Sequence, residues 1–111
     1  MGTVNNFITD LIDEMESQKA SDLILVGGRV PSYVIQREGI DITSYGAIPA
    51  DEIFADMEAL GLLVEDGGNF IYLHSSYGGN GDIWRMRVAT SVEEGKPFVS
   101  MRVIPHAIGV F

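Results

Sequence analysis

Arg85, Arg87 and Arg102 are the residues of this sequence whose type and spacing suggest chemistry. They lie within Asp82–Pro105, DIWRMRVATSVEEGKPFVSMRVIP. There Trp84, Met86 and Val88 alternate with Arg85, Arg87 and Ala89, and Val99, Met101 and Val103 alternate with Ser100 and Arg102. Strand side chains alternate faces with a period of two, so each half has one apolar and one polar face. Glu93-Glu94-Gly95-Lys96 has the length and the glycine of a hairpin turn. If Val92 pairs with Pro97, antiparallel counting sets Arg87 directly opposite Arg102, with Arg85 on the same face. Like charges directly opposite cost roughly 0.2–1 kcal/mol. Such a face wants an anion, either a carboxylate inside this acidic fold or a phosphate from outside, because guanidinium suits both. The residues alone leave these open, together with simple solvation.

The other reactive residue types form no constellation. His74 and His106 are the two histidines, far apart and without metal-site spacing. His74 falls in a strand whose facing the pattern leaves open, and both histidines read as structural or surface residues. Ser75-Ser76 lacks the strand–turn–helix setting of a nucleophile elbow. Gly78-Gly79-Asn80-Gly81 joins two strands, whereas phosphate-binding glycine loops join a strand to a helix, so it reads as a hairpin turn. Gly95-Lys96 resembles the end of a P-loop, but Thr90 stands where the first glycine is required and Pro97 follows the lysine. Asp13/Glu14 and Glu93/Glu94 read as solvated charge, since nothing apolar surrounds them to raise a pKa. No metal site, no bound cofactor and no catalysis are expected of this chain by itself.

At 111 residues the chain is long enough for one real core but not two, so residues 1–111 read as a single domain. The net charge of −9 argues against nucleic acid or an anionic membrane as a partner of the whole surface. Yet Arg85, Arg87, Lys96 and Arg102 account for four of the seven basic residues, a local basic spot on an acidic body. The absence of cysteine excludes disulfides, thiol catalysis and thiolate zinc sites, and fits a cytoplasmic protein. No apolar run approaches the ~18 residues of a membrane span, and no signal peptide is expected. Met1-Gly2 lacks the following Ser or Thr of a myristoylation signal.

Val4, Phe7, Ile8, Leu11, Ile12 and Met15 have the spacing of an amphipathic helix from about 4 to 18, with Thr3 as its cap and Asp10, Asp13, Glu14 and Glu16 on its polar face. Leu23 to Val26 reads as a buried strand closed by Gly27-Gly28, and Tyr33 to Arg37 as a second strand. Glu38-Gly39 is the expected turn before a short third strand within Ile40–Tyr45. Pro49 suits the first position of a second helix over 50–60, Asp51 and Glu52 its positive end, and Gly61 its C-cap. Phe70–Tyr77 reads as a strand leading to the arginine hairpin. The order predicts an α+β fold, an antiparallel sheet with the helices packed on one side.

The order of several short motifs adds a resemblance. Ala20-Ser21-Asp22-Leu23-Ile24-Leu25, then Gly and Pro, then Ile48-Pro49-Ala50-Asp51-Glu52 opening a helix, then Trp84-Arg85-Met86-Arg87-Val88, and finally Val99-Ser100-Met101-Arg102-Val103-Ile104-Pro105 run in one sequence. This resembles the N-terminal domain of the PilT/GspE-type secretion and pilus ATPases, whose pattern runs ASDLHL, G-x-PP, LTPEE, RFRVN and VFRxIP. It covers residues 4 to 105, and the interval between the two facing arginines matches as well. The resemblance implies a PAS-like sheet of about five to six strands with two main helices. It also implies a RecA-like ATPase domain, absent from this chain, with ATP and Mg as its ligands. The implied partners are that domain, a homo-hexameric ring and the inner-membrane secretion machinery, at the cytoplasmic face of the inner membrane. Matched residue by residue, Arg87 and Arg102, with Arg85 secondary, would contact the nucleotide held by the other domain.

There are departures. Ile24 replaces the histidine of SDLHL, Val34 stands near the place of an arginine usual in the second strand, and Gly95-Lys96 replaces an Arg-Gly. They point toward the type IV secretion and conjugation branch, the DotB- and TraJ-like proteins, over pilus retraction. The alternative from another class is a free-standing PAS-like module that binds a small ligand or a protein.

Overall fold

Asn6 sets the start of the first helix. In the computed structural model, which describes residues 6–75 and 83–104, its backbone is extended (φ −117°). Its Oδ1 accepts from the amides of Ile8 and Thr9 at 2.9 and 3.3 Å, donors with no carbonyl partner within the first turn. Helix α1, Phe7–Gln18, buries Ile8, Leu11, Ile12 and Met15 along one stripe and ends where Lys19 turns left-handed. The expected start near residue 4 is therefore corrected to Phe7, because Asn6 rather than Thr3 supplies the cap; Thr3 lies outside the described residues.

Strand β1, Asp22–Val26, follows α1 directly. Strands β2, Ser32–Ile35, and β3, Glu38–Asp41, form a hairpin whose turn is Gln36-Arg37. The turn was expected at Glu38-Gly39, since glycine is the default left-handed residue. Instead Gln36 and Arg37 take φ of 52° and 69°, the pair of left-handed residues whose twist matches a two-residue hairpin. The register accompanies burial of Tyr33 on the core face: it stands opposite Ile40, and Glu38 and Gly39 enter the ladder opposite Ile35 and Val34.

Helix α2, Ala50–Ala59, begins one residue after Pro49, which occupies the cap and not the first helical position. Asp51 and Glu52 lie in its first turn, where the helix dipole favours them. Gly61 (φ +79°) stops it, with its amide and that of Leu62 donating back to Glu58 and Met57. Strands β4, Gly68–Ser75, β5, Ile83–Glu93, and β6, Lys96–Ile104, are the remaining elements among the described residues.

Among the described residues the six strands form one sheet in the order β3-β2-β1-β6-β5-β4, antiparallel throughout. One face carries Tyr33, Leu23, Leu25, Val99, Met101, Val88 and Met86, which pack with the buried stripes of α1 and α2 in a single core. Gly27 lies where β1 runs into the start of α2: a Cβ there would sit 2.7 Å from the Pro97 ring and 2.9 Å from Ala50 Cβ. The fold is the expected α+β arrangement. Among the described residues no helix is long and apolar enough to cross a membrane.

Candidate functional site

The hairpin of β5 and β6 is built as its alternation requires. Met86, Val88, Val99 and Met101 are fully buried under the helices, which turns Arg85, Arg87 and Arg102 onto the opposite, open face. Val92 pairs with Pro97 and Glu93 with Lys96, so the turn is Glu94-Gly95, with φ of 52° and 79°. The register sets Arg87 directly opposite Arg102, and Arg85 opposite Ile104.

Extending the register across the sheet gives one row on the open face, Val34, Asp22, Arg102, Arg87 and Ile71, from β2 to β4. Asp22 fills the place beside Arg102. Its Oδ2 accepts from Arg102 Nε at 3.1 Å, and its Oδ1 accepts from the Ser21 hydroxyl at 2.5 Å. The carboxylate side chain is 9 % exposed and the guanidinium 69 %, so one edge of Arg102 is tied down while the rest faces solvent. An internal carboxylate therefore meets part of the arginine row. Arg85 and Arg87 are exposed, and neither has an ion-pair partner among the described residues. The row thus reads minus, plus, plus, with the unpaired positive end at Arg87.

Lys96 does not join this group. It lies on the same face of β6 as Arg102 but six residues away, roughly 20 Å at about 3.3 Å per residue. Ile71 and Leu73 of β4, directly beside Arg87 and Arg85, are half exposed or more, so the arginines border an apolar strip. At the far end of the same face, Ile24, Val26, Arg29, Ser32, Asp41 and Phe98 line a shallow open concavity.

His74 is 3 % exposed and faces the core side of β4. Its Nε2 lies 2.7 Å from Asp13 Oδ1 on α1, and its Nδ1 3.5 Å from the Tyr72 hydroxyl. Asp13 is thus not simply solvated charge, as expected, but the polar link between α1 and β4. The sequence obscured this because β4 is apolar on both faces: Phe70 and Tyr72 point inward while Ile71 and Leu73 point outward. Burial and the nearby Asp13 raise the Tyr72 pKa. His106 and Gly78-Gly79-Asn80-Gly81 lie outside the described residues, as do Ser76 and the side chain of Ser75. Among the described residues no three His, Cys, Asp or Glu side chains gather as a metal site would need.

No family model matches the chain, and no curated protein matches it. Solved structures do. The ATPase DotB of Yersinia pseudotuberculosis aligns with a TM-score of 0.71 at 19 % identity, over 95 % of this chain and 31 % of that one. The ATPase DotB of Legionella pneumophila aligns with a TM-score of 0.66 at 18 % identity, again over 95 % and 31 %. The pilus retraction motor PilT, solved with bound ADP, gives 0.57 at 18 %, over 88 % and 29 %. The chain spans about three-tenths of the length of these structures, and its fold is the fold of that part of the DotB and PilT ATPases.

Proposed function

We propose that the chain is the N-terminal domain of a hexameric secretion or pilus ATPase of the PilT/GspE type, DotB-like, and that its arginines contact a nucleotide held by a RecA-like domain outside this chain. The carrying observation is Arg87: exposed, opposite Arg102, and without an ion-pair partner among the described residues. Guanidinium groups there would neutralise charge on the terminal phosphates of ATP, with Mg, and lose that contact after hydrolysis. Arg102, held by Asp22 on one edge, keeps its remaining donors free for the same anion; Arg85 is the secondary contact. The shared fold with DotB supports the same reading. The remaining roles are ring assembly and docking to inner-membrane machinery from the cytoplasmic side.

In the full-length protein, Arg87→Ala is expected to lower ATPase turnover by at least about tenfold, given that arginines on transferring phosphates contribute ~10³–10⁵ in rate. Circular dichroism should show the domain still folded. Wild-type turnover in both Arg87→Ala and Arg102→Ala would end the nucleotide role and favour a binding module.

A further inference from the structure

Ser21 is clamped between two strands that flank β1. Its amide donates to the Val34 carbonyl of β2 at 2.8 Å, and its carbonyl accepts from the Val103 amide of β6 at 3.1 Å. Its hydroxyl lies 2.5 Å from Asp22 Oδ1 and 3.3 Å from the Val34 carbonyl, so its one proton goes to the nearer, charged acceptor. Asp22 Oδ2 is left to accept from Arg102 Nε. Backbone, hydroxyl and carboxylate thus form a chain of contacts that ends on one edge of a guanidinium. That contact adds little stability, because taking the carboxylate out of water offsets much of what a largely exposed partner returns. It does fix the direction of a long side chain, and it selects which donor is used. Nε is on the side of the guanidinium, whereas the two terminal nitrogens form its fork. Among the described residues neither terminal nitrogen has a partner. The fork matches two phosphate oxygens at once.

We propose that, given the nucleotide contact proposed above, Asp22 oriented by Ser21 is a positioning residue that presents the fork of Arg102 to a phosphate group. This names the edge of the arginine that takes the phosphate, and it explains why position 102 needs an arginine. A lysine there has a single ammonium, a point charge that meets either Asp22 or the phosphate. Arg87 has no ion-pair partner among the described residues, so a lysine at 87 keeps its whole charge for the phosphate. Asp22 also repels a phosphate through its own charge. Charge alone therefore predicts that removing Asp22 strengthens nucleotide binding, whereas orientation predicts a loss of turnover. The two effects have opposite signs, which makes the role measurable.

Steady-state ATPase kinetics of the full-length protein test this. Asp22→Ala is expected to lower kcat by about tenfold, because the arginine is no longer aimed. Asp22→Asn should restore most of that loss: its Oδ1 can accept from Arg102 Nε, while its Nδ2 donates to the Ser21 hydroxyl, which turns to the Val34 carbonyl. In an Arg102→Ala background, Asp22→Ala should cost nothing more, since a positioning residue acts only through the residue it positions. Arg102→Lys, at an exposed position, should fall as far as Arg102→Ala, while Arg87→Lys keeps more turnover than Arg87→Ala. In the 111-residue chain, nitrogen relaxation should show the Arg102 Nε–H ordered in wild type and mobile in Asp22→Ala. Tighter ATP binding with undiminished kcat in Asp22→Ala overturns the proposal, and so does a further loss on adding Asp22→Ala to Arg102→Ala. If Asp22→Ala fails to fold, Arg102→Lys decides, and wild-type turnover there overturns it. Wild-type turnover in Arg102→Ala removes the phosphate contact of Arg102 itself, and the positioning role with it. An impaired Arg102→Ala beside a fully active Asp22→Ala removes the positioning role alone.

Discussion

The two facing arginines should respond to neutralisation with opposite signs. Arg102→Gln removes the Nε bond to Asp22, whose carboxylate is nearly buried. Because the guanidinium is largely exposed, solvent screening limits that loss to about 1 kcal/mol, the upper end for surface pairs. The same change also relieves the repulsion from Arg87, worth about 0.5 kcal/mol, so the net loss is about 0.5 kcal/mol. Arg87→Gln gives up no ion pair among the described residues and only relieves repulsion, so it should be neutral or stabilising by about 0.5 kcal/mol. In the double variant the relief counts once, and Arg102→Gln should cost nearer its full ~1 kcal/mol in the Arg87→Gln background. Urea unfolding of the 111-residue chain measures each value, and melting temperatures of the single variants should differ by about 3–6 °C. If Arg87→Gln instead destabilised the chain by more than ~1 kcal/mol, Arg87 would have an acceptor inside the fold. The physical reason for seeking an external phosphate beside it would then be gone.

Asn6→Ala should cost ~1–2 kcal/mol in chemical denaturation, because the side chain caps α1 and also donates through Nδ2 to the Asp56 carbonyl of α2 at 3.0 Å. Gly27→Ala should cost ~1–3 kcal/mol, since the new methyl meets a rigid proline ring and the Ala50 backbone, neither of which swings aside. Stability should fall as pH rises through the ordinary tyrosine range near ~10. Tyr33 donates its hydroxyl to the Leu11 carbonyl, and burial, then Glu14 and Tyr45, raise its pKa in the folded chain. A raised folded value means the unfolded chain ionises first, so the stability present below ~10 is lost above it, and Tyr33→Phe should flatten that decline in a pH series of melts.

Period-two alternation put the three arginines on one face, and the assumed pairing of Val92 with Pro97 around the Glu93–Lys96 turn then set Arg87 opposite Arg102, which is the register found. Helical spacing likewise located the buried stripe of α1, and the glycine at position 61 marked the end of α2. These are local properties, set by periodicity and by which residues tolerate a left-handed backbone. The β2–β3 turn was misplaced because local preference favoured Gly39, while burial of Tyr33 on the core face goes with the register that places the turn at Gln36-Arg37. Asp22 and Arg102 are 80 residues apart, and Asp13 and His74 61; both pairs exist only because β6 lies beside β1 and α1 lies over β4. Strand order and helix docking are long-range choices, made by burial of the whole apolar set, and no local pattern carries them. They decided that Arg102 has a carboxylate of its own and that Arg87 stands beside an apolar strip.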